Sequence, residues 1–268
     1  MKKIILYCLF IILSVFILGC PSAKEVKEEE PSPPPTEVKK PAFPDITINI
    51  ASIDLMKVSK KIEGGDIDRL TETIKKEKID ILAMQGITRY QGLKNRTDIV
   101  SELSSRSAMR YAFGETIALP GRQSGNAVFS AYPIRSTENT RYEGVRSTNL
   151  ESALQAIVDC GIRDVIVIST RFPEKASVED QTTCINKLSS FNILYIDHPL
   201  IIAGNLSGSE VLRTLASYQE AKPQKGEAAS RIWFSENSSL KLLSIKVANT
   251  SLGQVVIGEF GIFRKPQP

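Results

Sequence analysis

Ile46 to Ile50 alternates β-branched and polar side chains and predicts a short strand. After Gly64-Gly65, Asp66 has the chemistry of a helix N-cap. Ile67, Leu70 and Ile74 then recur at helical spacing up to Lys75-Lys76, whose cations suit a helix C-terminus. Asp80 to Gln85, with the apolar run Ile81 to Met84 at its centre, predicts a buried strand. Ile99 and Leu103 mark a second amphipathic segment, leading into Met109 to Phe113. Strand-like runs follow at Asn126 to Ser130, Leu150 to Asp159 and Val165 to Thr170, the last two joined by a tight turn at Cys160 to Arg163. A helix carrying Val178, Ile185 and Leu188 precedes a strand at Leu200 to Ala203. Another helix near Glu210 to Tyr218 precedes strands at Ser230 to Phe234, Leu240 to Val247 and Gln254 to Phe263. Hairpins predominate, with helices between them. The expected fold is α/β: two packed, mainly antiparallel sheets flanked by helices, a four-layer α/β/β/α sandwich.

The first residues follow a different pattern. Met1-Lys2-Lys3 is a short basic start, Ile4 to Leu18 carries no charge, and Gly19-Cys20 follows, which is the layout of an export signal. Ile17-Leu18-Gly19-Cys20 resembles the bacterial lipobox, which implies cleavage after residue 19 and lipidation of Cys20. Read as an uncleaved membrane helix, the run falls short of the roughly 20 residues a bilayer requires. From Pro21 to Pro44 the chain holds seven of its fourteen prolines among scattered lysines and glutamates. Such a segment cannot form a core, and extended it reaches on the order of 75 Å at ~3.1 Å per residue. The expected organisation is a signal peptide over 1–19, a lipidated tether over 20–44 and a folded domain over 45–268. The expected location is the bacterial cell envelope, anchored on the exported side of a membrane.

Composition narrows the chemistry. The 268 residues carry 34 Lys+Arg against 30 Asp+Glu, a formal charge of +4, so a nucleic-acid partner is not indicated. One histidine and four cysteines leave too few ligands for a multi-imidazole centre, or for a zinc cage unless every cysteine is used. Cys8 lies within the signal and Cys20 immediately follows it. In an exported domain Cys160 and Cys184 either pair or are two buried, unpaired thiols.

Several segments, spanning Ile46 to Phe263, resemble the endonuclease/exonuclease/phosphatase superfamily in order. Asn49 looks like the first-strand asparagine of those proteins, and Asp80 to Gln85 is similar to their "D-I-L-x-L-Q-E" strand. Gly125 to Ile134 is similar to "G-N-A-I-L-S-x-x-P-I", and Ile166 to Thr170 to the strand ending in "T-H". Leu200 to Gly204 resembles the strand ending in "G-D-x-N", and Ser251 to Val256 the final "S-D-H-x-P-V". The resemblance implies a metal-dependent phosphoesterase fold, but the residues that carry its chemistry are replaced. Gly86 stands where the metal-binding glutamate is expected and Arg171 where the "T-H" histidine is. Asn205 and Ser207 replace the Asp and Asn of "G-D-x-N", and Leu252 and Gly253 the Asp and His of "S-D-H". A glycine offers no side-chain ligand and a carboxamide accepts no proton near neutral pH, while a lost acid or base costs about 10²- to 10⁴-fold in rate.

The expectation is therefore a membrane-anchored pseudoenzyme with no catalytic residues, no resident metal and no cofactor, acting as a binding or scaffold module. The degenerate pocket would comprise Asn49, Gln85, Arg171, Asn205 and Ser207, with Leu252 nearby, at one end of the two sheets. Its partner would be an unknown protein or an anionic ligand, besides the membrane reached through Cys20. The alternative is a divergent nuclease or phosphodiesterase with relocated ligands, which would use magnesium. Arg171 would bind an anion or pair with a carboxylate. Asp54, Glu115 and Glu174 read as exposed loop charges, Trp233 and Phe234 as packing, and Asn126 and Ser130 as structural. His198, in Asp197-His198-Pro199, precedes its strand and stands roughly 15 Å from the Gly204 end, so it reads as a loop residue.

Overall fold

The computed structural model describes residues 43–56, 58, 61–91, 97–119, 122–142, 151–172, 177–194, 197–206, 218–223, 229–235 and 239–264. The export segment, Cys20 and most of the tether lie outside them, as do Glu174 and Ser207. Residues 42–268 fold as one compact unit.

One six-stranded sheet is built from β1 (Ile46–Asp54), β2 (Ile81–Thr88), β5 (Arg110–Leu119), β6 (Arg122–Ser130), β13 (Leu240–Thr250) and β14 (Gly253–Ile262), in the order β13-β14-β1-β2-β6-β5. The other contains β7 (Ile134–Arg141), β8 (Ser152–Asp159), β9 (Asp164–Arg171), β10 (Leu200–Asn205), β11 (Tyr218–Ala221) and β12 (Arg231–Ser235), in the order β11-β12-β10-β9-β8-β7. β3 (Tyr90–Gln91) and β4 (Thr97–Asp98) form a small separate ribbon. Each large sheet repeats one plan, a hairpin, a parallel pair and a second hairpin. The parallel pairs are β1 with β2 and β9 with β10. A parallel pair needs a crossover, and here these are α1 (Gly64–Lys76) and α3 (Val178–Leu194). A third helix, α2 (Ile99–Ser107), packs beside α1.

Three apolar layers hold the sandwich. Ile67, Leu70 and Ile74 of α1 and Ile99, Val100 and Leu103 of α2 cover Ile53, Leu82 and Met84. Ile48, Ile50 and Ile81 meet Val165, Val167 and Ile201 between the sheets. Ile185, Leu188 and Phe191 of α3 cover Ile166, Ile168, Ile202 and Trp233. The architecture is therefore the α/β/β/α sandwich expected from the sequence. Cys160 and Cys184 are both free and buried, in different layers. Among the described residues no helix is long and apolar enough to cross a membrane.

Local differences from the sequence reading have physical reasons. Glu63, not Asp66, is the N-cap of α1; Asp66 is the third helical residue, and its carboxylate accepts the Glu63 N–H at 3.3 Å. β7 has a mostly exposed sequence without alternation, as befits an edge strand. Tyr218, expected to end a helix, begins β11. β1 runs four residues beyond Ile50, to Asp54.

Candidate functional site

The two parallel pairs bring the C-terminal ends of their strands to one place. In β1, Ile48 and Ile50 face the other sheet while Ala51 and Ile53 face the helices, so Ser52 and Asp54 also project between the sheets. The same alternation turns Gln85 of β2, Ser169 and Arg171 of β9 and Asn205 of β10 toward that interface. Register places Asp54 beside Gln85 and Asn205 beside Arg171. In an open α/β sheet this end of the parallel strands is where a ligand site is expected.

A buried charge cluster closes this end. Arg171 Nη1 donates to Glu151 Oε1 at 2.7 Å and its Nε to Asp54 Oδ2 at 3.4 Å. Asp54 Oδ2 also accepts Asn205 Nδ2 at 2.7 Å, and its Oδ1 accepts the Met56 N–H at 2.9 Å. The side chains of Arg171 and Asp54 are 3% and 0% exposed, and that of Glu151 8%. Asp54 is thus not the exposed loop charge expected from the sequence but the buried last residue of β1. Glu115 lies half-buried on β5.

Burial pushes the Glu151 carboxyl from its ordinary 4.5 up to about 7, against the opposing pull of the Arg171 guanidinium. Its proton is therefore held more tightly in the folded than in the unfolded chain. The stability it contributes is full below pH 4.5 and is lost as pH rises through about 7. Glu151→Gln should remove this slope. Thermal melts between about pH 4.5 and pH 8 would show the native chain losing on the order of 2 kcal/mol more than the variant over that range.

Beneath the charges, the fully buried Gln85 ties the sheets together. Its Nε2 donates to Ser169 Oγ at 3.1 Å and to the Ala203 carbonyl at 3.2 Å, while Oε1 accepts Ser230 Oγ at 3.1 Å. Ser52 Oγ contacts Ser230 Oγ and lies 3.5 Å from Gln85 Oε1. Gly86 follows at a φ of +66°, and a Cβ there would stand 2.3 Å from Met56 Cγ. Its N–H donates to Asn126 Oδ1 at 3.3 Å, and Asn126 Nδ2 reaches the Ser152 carbonyl at 2.8 Å.

Of the expected pocket residues, Gln85, Arg171 and Asn205 come together and Asn49 does not. Asn49 lies five residues before Asp54, roughly 16 Å along the strand, and on the opposite face. Its Nδ2 donates to the Lys78 carbonyl at 3.0 Å and its N–H to Asp80 Oδ2 at 2.8 Å. Leu252 is buried in the layer beneath α1, in the turn between β13 and β14. His198 precedes β10, at the end of the strand remote from Asn205. Trp233 and Phe234 pack in β12. Sequence reasoning missed Asp54 and Glu151 as partners of Arg171; following the β1 pattern through Ser52 to Asp54 would have exposed the first.

The donor set does not fit the divalent cation that such a fold implies. Among the described residues no three His, Cys, Asp or Glu side chains converge as ligands. Gly86 supplies no side-chain ligand, and the two carboxylates present already pair with the Arg171 guanidinium. Nor does Arg171 offer an open fork to an anion, since it is buried against Asp54 and Glu151.

No family model and no curated protein matches the chain. Solved structures do. An endonuclease/exonuclease/phosphatase from Beutenbergia cavernae superposes with a TM-score of 0.65 at 15% identity, covering 81% of this chain and 72% of that one. One from Bacteroides vulgatus gives 0.65 at 10%, covering 81% and 99%. The human Nocturnin catalytic domain, solved with a bound sulfate anion, gives 0.61 at 15%, covering 81% and 93%. At such identities the likeness is one of architecture: this chain has the sandwich fold of the endonuclease/exonuclease/phosphatase proteins.

Proposed function

We propose that this chain is a catalytically silent protein of endonuclease/exonuclease/phosphatase fold, lipid-anchored through Cys20 in the bacterial cell envelope and acting as a binding or scaffold module for an unidentified partner. The observation that carries the reading is the Arg171 guanidinium, buried between Asp54 and Glu151 at the C-terminal ends of the parallel strands. Full-length protein incubated with magnesium or manganese should release no product above background from a phosphomonoester, a phosphodiester or DNA. Metal-dependent hydrolysis lost in Asp54→Asn would overturn it. For the anchor, Cys20→Ser should move the protein from the membrane to the soluble fraction on cell fractionation; unchanged sedimentation with membranes would refute lipidation at this residue.

A second reading, a divergent metal-dependent phosphoesterase with relocated ligands, draws on one observation: two carboxylates converge on the site. The same assay separates the two.

A further inference from the structure

Each large sheet has two edges, and three of the four are blunted. Asn139 of β7 donates its Nδ2 to the Glu115 carbonyl of β5 at 2.9 Å, which stitches those two edges together. β7 is itself mostly polar, and β11 is only four residues long. β13 differs. It runs for 11 residues, stands last in its sheet, and among the described residues no strand pairs with its outer edge. A long edge strand with apolar side chains is an open template for another chain.

Its two faces are unlike. Leu242, Ile245 and Val247 point between the sheets yet remain only half-buried. With Lys222 and Pro223, which follow β11, they line a groove of about 650 Å³. The outer face carries Lys241, Ser244 and Lys246, and behind it a hollow of about 280 Å³ sets Lys76, Lys78 and Lys246 against Glu77 and Glu259. Lys246 pairs with Glu77 at 2.6 Å and Lys222 with Glu220 at 3.5 Å, whereas Lys241 is exposed and has no ion pair among the described residues. The surplus charge along this edge is positive. From Ser244 to Thr250 the register with β14 is unbroken, so the free edge is regular there. A strand laid along it would alternate its side chains between the apolar groove and the lysines, because neighbours on adjacent strands share a face. A second copy of β13 would bring the same lysines to the seam, while an acidic segment would neutralise them.

We propose that β13 takes up an extended segment of a partner protein by strand addition, with the apolar side chains of that segment over Leu242, Ile245 and Val247 and its acidic ones opposite Lys241 and Lys246. The proposal rests on the binding-module reading above and names the class of partner: an exposed, strand-forming segment that alternates apolar and acidic residues. Main-chain hydrogen bonds along the edge supply the attraction, and the two unlike faces supply the selection.

The probe is a capped peptide of about ten residues alternating valine and glutamate, matched to the length of β13 and offered to the full-length protein. Hydrogen exchange read by mass spectrometry should slow at least about tenfold within Leu240–Thr250 at saturating peptide, while β5, β7 and β11 exchange as before. The same peptide with lysine in place of glutamate should bind at least about tenfold more weakly. Lys241→Glu, an exposed change that breaks no ion pair among the described residues, should weaken the glutamate peptide by about fivefold and narrow its advantage over the lysine peptide. Four results would overturn the proposal: unchanged exchange in β13 at about 1 mM peptide, equal binding of the two peptides, Lys241→Glu without effect, or protection of β13 in the peptide-free chain that grows with protein concentration, which would assign the edge to a second copy. Metal-dependent hydrolysis by the native chain would sink the catalytically silent reading and leave the peptide result standing; an unprotected β13 would strike this partner and leave the silent reading intact.

Discussion

Arg171→Met is expected to destabilise the folded chain by about 3–5 kcal/mol at about pH 8, the cost of removing one partner from a buried ion pair. Methionine keeps much of the volume and the flexible stem, so the loss is electrostatic rather than a cavity. Two buried carboxylates lose their counter-charge, and Asp54 keeps only Asn205 Nδ2 and the Met56 N–H as donors within the described site. The penalty should also depend on pH. Arg171 is the influence holding the Glu151 carboxyl down toward about 7, so without it the proton is bound more tightly still. Glu151 then escapes the penalty by staying neutral at low pH, and the gap between native and variant should narrow as pH falls toward 5. Urea denaturation at both ends of this range measures it. A loss below about 1 kcal/mol at high pH, within the range of an exposed pair, would mean that the cluster is solvated.

The second large effect is expected at Gln85. Gln85→Leu preserves bulk but strips partners from Ser169, Ser230 and the Ala203 carbonyl, all in the buried contact between the sheets. Each orphaned buried polar group costs about 1–3 kcal/mol, and the hydroxyls relieve part of this by re-pairing among themselves; a net loss of about 2–4 kcal/mol is expected. The Ser52 and Ser230 hydroxyls, already in contact, are the ones placed to do so. Equilibrium unfolding in urea reads the change directly. A shift within about 0.5 kcal/mol, the size of an ordinary surface substitution, would show that the amide does not tie the sheets.

The frame of this fold was legible where packing follows a simple period. Ile67, Leu70 and Ile74 marked the buried stripe of α1, and the apolar run from Ile81 marked β2, since both obey the geometry of a half- or fully buried element. The site was less legible because its interior is polar. β1 alternates correctly through Ser52 and Asp54, but those inward positions carry a hydroxyl and a carboxylate instead of isoleucine, so the strand reads as finished at Ile50. Asn49, matched to the first-strand asparagine of the resembled family, lies on the opposite face of β1. Glu151 was hidden for another reason. It stands twenty residues before Arg171, and only the antiparallel pairing of Ala153 with Thr170 brings the two together. The replacements at Gly86, Arg171 and Asn205 could be read one by one; that the arginine and the amide would share Asp54 depends on pairings between segments far apart in sequence.

The central claim is that the site carries its own cation and has no place for a metal. Isothermal titration of the intact full-length protein with manganese tests this most directly. The account predicts heats indistinguishable from dilution. Stoichiometric binding that disappears in Asp54→Asn would contradict it, for it would mean that the guanidinium yields the carboxylates to a metal after all.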